Sequence, residues 1–142
     1  MRVLASVAVA VSVSVVVASV ALTAGIARAD VGDTVEITAG SVTGLGCAVE
    51  AQRSNRLELL AACALAEAQN EIVVFDVAER TIYRLAKKKV PRYELERAYG
   101  GGSIDLSGKV VAVDPKSGIA TVEVAEYSIT RKPKPGAFKG CL

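Results

Sequence analysis

The sequence predicts a mainly β domain, a five-stranded Greek-key barrel with one α-helix inserted between strands one and two. Three observations carry this. Apolar and polar residues alternate with a period of two in several short runs, the mark of half-buried strands. Clusters of Gly, Pro, Asp and Ser punctuate those runs. The longest stretch with a period of three to four lies between the first and second β-rich runs.

Residues 34–43 (TVEITAGSVT) open the domain. Val35 and Ile37 fall on one face, Thr34, Glu36 and Thr38 on the other. Gly40 marks a bend or bulge, after which the strand is expected to continue through Val42 and Leu45 to Cys47. Residues 54–70 predict the inserted helix. Asn55 with Glu58 three residues on has the form of a capping box, and Asn70 of a stop. Leu57, Leu60, Ala61, Ala64 and Ala68 fall on one face, with Cys63 on or beside it.

Residues 72–77 (IVVFDV) and 81–85 (TIYRL) predict a hairpin across Ala78-Glu79-Arg80. Residues 92–99 allow one or two helical turns, closed by Gly100-Gly101-Gly102. Residues 104–113 and 121–129 predict the last pair, with the turn residues Asp114-Pro115-Lys116-Ser117-Gly118 between them. Five strands with a helical turn between the third and fourth have the order of an OB-type Greek-key barrel.

The first 29 of the 142 residues read separately. Arg2 precedes an uncharged Val/Ala-rich run over 3–26, then Ala27-Arg28-Ala29 before Asp30. A positive start, an apolar run and small residues at −3 and −1 of a cut have the layout of a secretory signal peptide, residues 1–29. The alternative is a membrane anchor formed by residues 3–26, long enough for a ~30 Å apolar core. Either places the domain, residues 30–130, outside the cytoplasm, periplasmic or secreted. Residues 131–142, with Pro133, Pro135, Gly136 and Gly140, read as a C-terminal tail.

Loss of Arg2 and Arg28 with the leader leaves 15 of the 17 basic residues against 15 acidic ones. A domain of formal charge zero lacks the global field that gathers nucleic acid, so no nucleic-acid partner is expected.

The pattern Gly40-x-Val42-x-x-Leu45-x-Cys47, then Cys63-Ala64, Ile82-Tyr83 and Gly108-Lys109-Val110, resembles a group of small exported bacterial OB-like proteins of unassigned function. The final strand pair is also similar to exported bacterial OB-fold proteins tied to envelope stress. The resemblance implies a barrel over most of residues 30–129. Where members of the first group carry a further Cys four residues after the Ala-paired one, this chain has Glu67.

The chain has three Cys and no His. In an oxidising compartment a pair of Cys reads first as a disulfide. Cys47 and Cys63 are read as a structural staple, worth on the order of 3 kcal/mol by loop entropy. Cys141 is left as a free thiol, a rival partner for either, or the bridge of a dimer. The competing reading makes Cys47, Cys63 and Cys141 a thiol-based redox or metal-handling set. Without His or a Cys-x-x-Cys pair, neither a metal site nor a cofactor is expected.

Arg84, Lys87, Lys88, Lys89 and Arg92 form a basic cluster between Tyr83 and Tyr93. It reads either as a solvated loop or as a contact for an anionic surface polymer. Gly44-Leu45-Gly46 and Gly100-Gly101-Gly102 lack the remaining residues of nucleotide loops, and Glu94/Glu96 and Glu123/Glu126 show no catalytic pattern. The expected function is therefore a non-enzymatic binding or structural module of the cell envelope, its partner an envelope protein or anionic polymer.

Overall fold

Strand β1, Thr34–Gly44, follows the sequence pattern: Val35 and Ile37 are buried, while Thr34, Glu36 and Thr38 are exposed. In the computed structural model, which describes residues 28–68, 71–86 and 89–131, the strand's register against its neighbour shifts between Ile37 and Gly40. Ala39 there has a φ of 53°, and its N–H donates to Asp105 Oδ1 at 2.6 Å. A Cβ on Gly40 would lie 2.7 Å from Val74 Cγ1, so a glycine is required where the strand bends across its neighbour.

The remaining strands are β2 (Ile72–Asp76), β3 (Thr81–Leu85), β4 (Ser103–Val113) and β5 (Ala120–Thr130). They close in the order β1-β2-β3-β5-β4, antiparallel throughout except for the β3–β5 pairing, where Tyr83 to Leu85 run parallel to Ala120 to Val122. The fold is thus a mainly β, five-stranded, OB-like closed barrel, with the helical insertion after β1. Ile37, Val42, Val74, Ile104, Val110 and Val122 fill its interior, and Leu95 and Ala98 of helix α3 (Arg92–Ala98) join them from one end.

Two expectations require correction. The first strand does not reach Cys47. It ends at Gly44, opposite the first residue of β2, and Leu45 already begins helix α1 (Leu45–Ser54). Among the described residues β1 has no strand partner beyond Gly44, whereas a helix buries Ala48 and Ala51, three residues apart, against the sheet.

The second correction concerns the helix expected at 54–70. The first insertion helix lies upstream of it, and Asn55 is that helix's C-cap in the left-handed conformation (φ 58°, ψ 32°), where asparagine is tolerated. The expected capping box does not form: Asn55 Oδ1 accepts from Arg80, and Glu58 pairs with Arg56. The rest breaks into α2 (Glu58–Ala62) and a 3₁₀ turn (Leu65–Ala68). Leu60, Cys63 and Ala68 are buried as the periodicity requires, but Ala61 and Ala64 are exposed. Asn70 lies outside the described residues, as do residues 1–27.

Strand β2 is apolar without alternation because both of its faces are covered. Val74 points into the barrel, while Val73 and Phe75, with Ile82 of β3, meet Ala48, Ala51 and Leu60 of the insertion. The outer face of β2 and β3 is thereby roofed by α1 and α2. Burying side chains of the size of Val73, Phe75, Ile82 and Leu60 stabilises by about 1.5–3 kcal/mol each.

Candidate functional site

The insertion is closed by a disulfide between Cys47, in the first turn of α1, and Cys63, which caps α2 in extended conformation. Their Cα atoms are 6.0 Å apart, within ordinary bridging range. The loop it closes is the roof over β2 and β3, so the staple holds the two insertion helices to each other above the sheet. The expected pairing of Cys47 with Cys63 is present; Cys141 lies outside the described residues.

An open groove of about 340 Å³ runs beside the bridge, with Gly46, Cys47 and Glu50 on the α1 side and Leu59, Ala62 and Cys63 on the other. Glu50 apart, its walls are apolar or sulfur. Tyr99 reaches this corner from the chain segment after α3: its one hydroxyl proton is shared between two acceptors, Cys63 Sγ at 3.0 Å and the Ala64 carbonyl at 3.1 Å. Sequence reasoning did not find Tyr99. Its place just before the three glycines marks only a helix end in the local pattern, and a contact across 36 residues leaves no local signal.

The basic cluster is divided by the fold. The Arg84 guanidinium donates to Glu71 and, at 3.4 Å, to Asp114, so it ties the end of the insertion to the β4–β5 turn. The Glu71 carboxylate raises the Arg84 pKa above its ordinary value, with a smaller contribution from Asp114. The Asp114 carboxyl is held below its usual range chiefly by hydrogen bonds from Ser117 Oγ and the Lys116 N–H, with Arg84 adding to them. Arg92 pairs with Glu96 at 2.8 Å. Lys89 is exposed, and Lys87 and Lys88 lie outside the described residues.

A second cleft, about 260 Å³, opens where the first half of β1 diverges from the β2–β3 hairpin, and Arg28, Asp33, Glu36, Asp76, Glu79 and Tyr83 line it. Asp76 is buried, and its Oδ1 accepts from the Ala78 and Glu79 N–H groups at 2.9 and 3.2 Å. Burial is the main cause raising the Tyr83 pKa, and the negative charges of Asp76, Glu79 and Asp33 raise it further. Among the described residues no group of three or more Cys, Asp or Glu is arranged to hold a metal ion. Comparison with known protein families, curated proteins and solved structures finds no match for this chain.

Proposed function

We propose that the chain is exported and that its barrel is a non-enzymatic binding or structural module of the cell envelope, meeting its partner through the stapled insertion. One observation supports this above the others. OB barrels take polymers on the outer face of strands two and three and on the adjoining loops, and here that face carries α1 and α2, with the Cys47–Cys63 bridge closing them. The surface left for a partner is the outside of the insertion, where Val49 and Leu65 are exposed. A disulfide is also the chemistry of an oxidising compartment.

The test is expression of the full chain in a bacterium, followed by fractionation and intact-mass analysis with and without reductant. The reading expects a soluble extracytoplasmic chain that begins at Asp30 and has its two domain cysteines bridged. A chain retaining residues 1–29 in the membrane fraction supports the anchor instead. Three free thiols in a cytoplasmic chain overturn both.

The groove beside the bridge and the Tyr99 contact with Cys63 favour a second reading, thiol-based redox work at the same bridge. A contact with anionic polymer has less support, because Arg84 and Arg92 are engaged by carboxylates. Titration with anionic and neutral phospholipid vesicles separates it: salt-sensitive binding lost on neutralising Lys87, Lys88 and Lys89 favours the basic loop.

A further inference from the structure

We propose that the cleft between the first half of β1 and the β2–β3 hairpin is a guanidinium site, which takes one arginine side chain of a basic peptide among Asp76, Glu79 and the Tyr83 hydroxyl. This goes beyond the function proposed above. The contact is separate from the stapled insertion, and its carboxylates lie within residues 33–79, so it stands whether or not residues 1–29 are removed.

The cleft follows from the strand registers. The ladder between β1 and β2 runs only from Ser41 and Phe75 to Gly44 and Ile72, so Asp76 lies beyond its end. The edge of β1 from Thr34 to Ile37 faces the hairpin without pairing to it. Side chains two residues apart on a strand share a face. Val74 points into the barrel, which puts Asp76 on the inward face of β2, and Tyr83 stands opposite Val74 on β3. Both belong to the mouth of the barrel and not to the outer face under α1 and α2.

Two buried polar groups in this cleft call for a ligand. Asp76 is 4% exposed and Tyr83 7%. Asp76 Oδ1 accepts the Ala78 and Glu79 N–H groups, but Oδ2 has no hydrogen-bond partner among the described residues, and neither has Tyr83 Oη. Neither atom is sealed in, because the one fully buried side-chain oxygen without a partner among the described residues is Thr43 Oγ1. Both therefore open into the cleft that their residues line. A carboxylate is almost never buried to this degree unpaired. Yet among the described residues no Lys or Arg forms an ion pair with Asp33, Glu36, Asp76 or Glu79.

The chemistry of the walls selects the cation. Asp33, Glu36, Asp76 and Glu79, with Arg28 alone on the rim, give the cleft a negative field. Asp33 already accepts the Asp30 N–H on Oδ2. The carboxylates come from separate segments, and no three of them are arranged around one metal position. A planar guanidinium carries five N–H donors and bridges such groups, whereas an ammonium or a divalent ion acts as a point charge. One N–H donated to Asp76 Oδ2 and one to the Glu79 carboxylate leave Tyr83 Oη to accept a third, while Val35 and the Tyr83 ring cover the apolar stem. At about 260 Å³ the cleft is smaller than the roughly 300–1,000 Å³ of small-molecule sites, which suits a single side chain.

The experiment titrates the full chain, isotope-labelled, with acetyl-Gly-Arg-Gly-amide and follows the amide resonances of Ala78 and Glu79, whose N–H groups bond Asp76. They should shift saturably with the arginine peptide and stay still with its citrulline counterpart, which has the same shape without the charge. Asp76→Asn keeps an oxygen for the two N–H groups and removes the charge, and should weaken binding about tenfold. Tyr83→Phe keeps the ring and should weaken it about fivefold. Glu123→Gln, at an exposed carboxylate of β5, should leave it unchanged.

Unmoved amides with the arginine peptide overturn the proposal. Equal affinity for the lysine peptide overturns the guanidinium assignment. Calcium chloride that moves the same amides where arginine does not assigns the cleft to a metal ion and overturns it too. Unchanged affinity in Tyr83→Phe, which decides the matter if Asp76→Asn fails to fold, overturns the placement. Intact mass of the same sample records whether it begins at Asp30, so a failure of the export reading is seen separately.

Discussion

The Tyr99 hydroxyl donates to Cys63 Sγ at 3.0 Å, joining the segment between α3 and β4 to the bridge of the β1–β2 insertion. The same hydroxyl serves the Ala64 carbonyl, one of the polar groups left where α2 breaks. Tyr99→Phe keeps the ring and removes both bonds. The variant should lose about 1 kcal/mol in urea unfolding, and an unchanged midpoint would show that these bonds contribute nothing to holding the corner.

Thr43 lies on the roofed side of β1, fully buried, and its Oγ1 has no hydrogen-bond partner among the described residues. A buried hydroxyl without a partner carries its desolvation cost uncompensated. Thr43→Val has the same shape without that cost and retains β-branching. Stability should rise by about 1 kcal/mol, seen in calorimetry as a Tm increase of roughly 4 °C for a domain of this size. A fall in Tm would mean that the hydroxyl is satisfied.

Arg84 links Glu71, before β2, with Asp114, after β4. All three side chains are about a third exposed, so screening by water limits the network. Arg84→Met should cost about 1 kcal/mol at low salt and less at high salt. Equal destabilisation at both salt concentrations would point to packing of the side-chain stem rather than to charge.

Tyr83 sets an alkaline limit. Its folded pKa is raised above the unfolded value near 10, first by burial and then by the neighbouring carboxylates. The contribution of the neutral phenol is therefore complete below the unfolded pKa and is lost as pH rises through the folded one. Tyrosinate absorbance should show a tyrosine titrating above the ordinary value together with falling stability, and Tyr83→Phe should remove that coupled step. A fall in stability with the same pH dependence in the variant would contradict this assignment.

Much of the barrel was legible because its strands obey simple alternation. Val122 and Val124 are buried on either side of the exposed Glu123 on β5, and the Asp114–Gly118 turn falls where its composition places it. The continuous run Ile72–Asp76 was legible as a strand, although not as one roofed on its outer side.

The insertion was misread at its ends for a physical reason. Asparagine both starts helices, through its side chain, and stops them, through its tolerance of the left-handed region. At Asn55 the contact with Arg80 and the upstream burial of Ala48 and Ala51 go with the stop. Cys47 continues the strand in the local pattern, but the described ladder between β1 and β2 ends at Gly44 and Ile72, and no local pattern encodes where a partner strand starts. Tyr99, Glu71 and Asp114 meet their partners across 13 to 36 residues, and no local periodicity encodes such meetings.

The central claim is that the Cys47–Cys63 bridge clamps a roof over β2 and β3 while the barrel stands without it. Amide hydrogen exchange of the Cys47→Ser/Cys63→Ser double variant tests it most directly. The account expects residues 45–68 to lose protection by about a hundredfold, the scale of a ~3 kcal/mol staple, while β4 and β5 keep theirs. Unchanged protection in 45–68, or an equal loss in every strand, would contradict it.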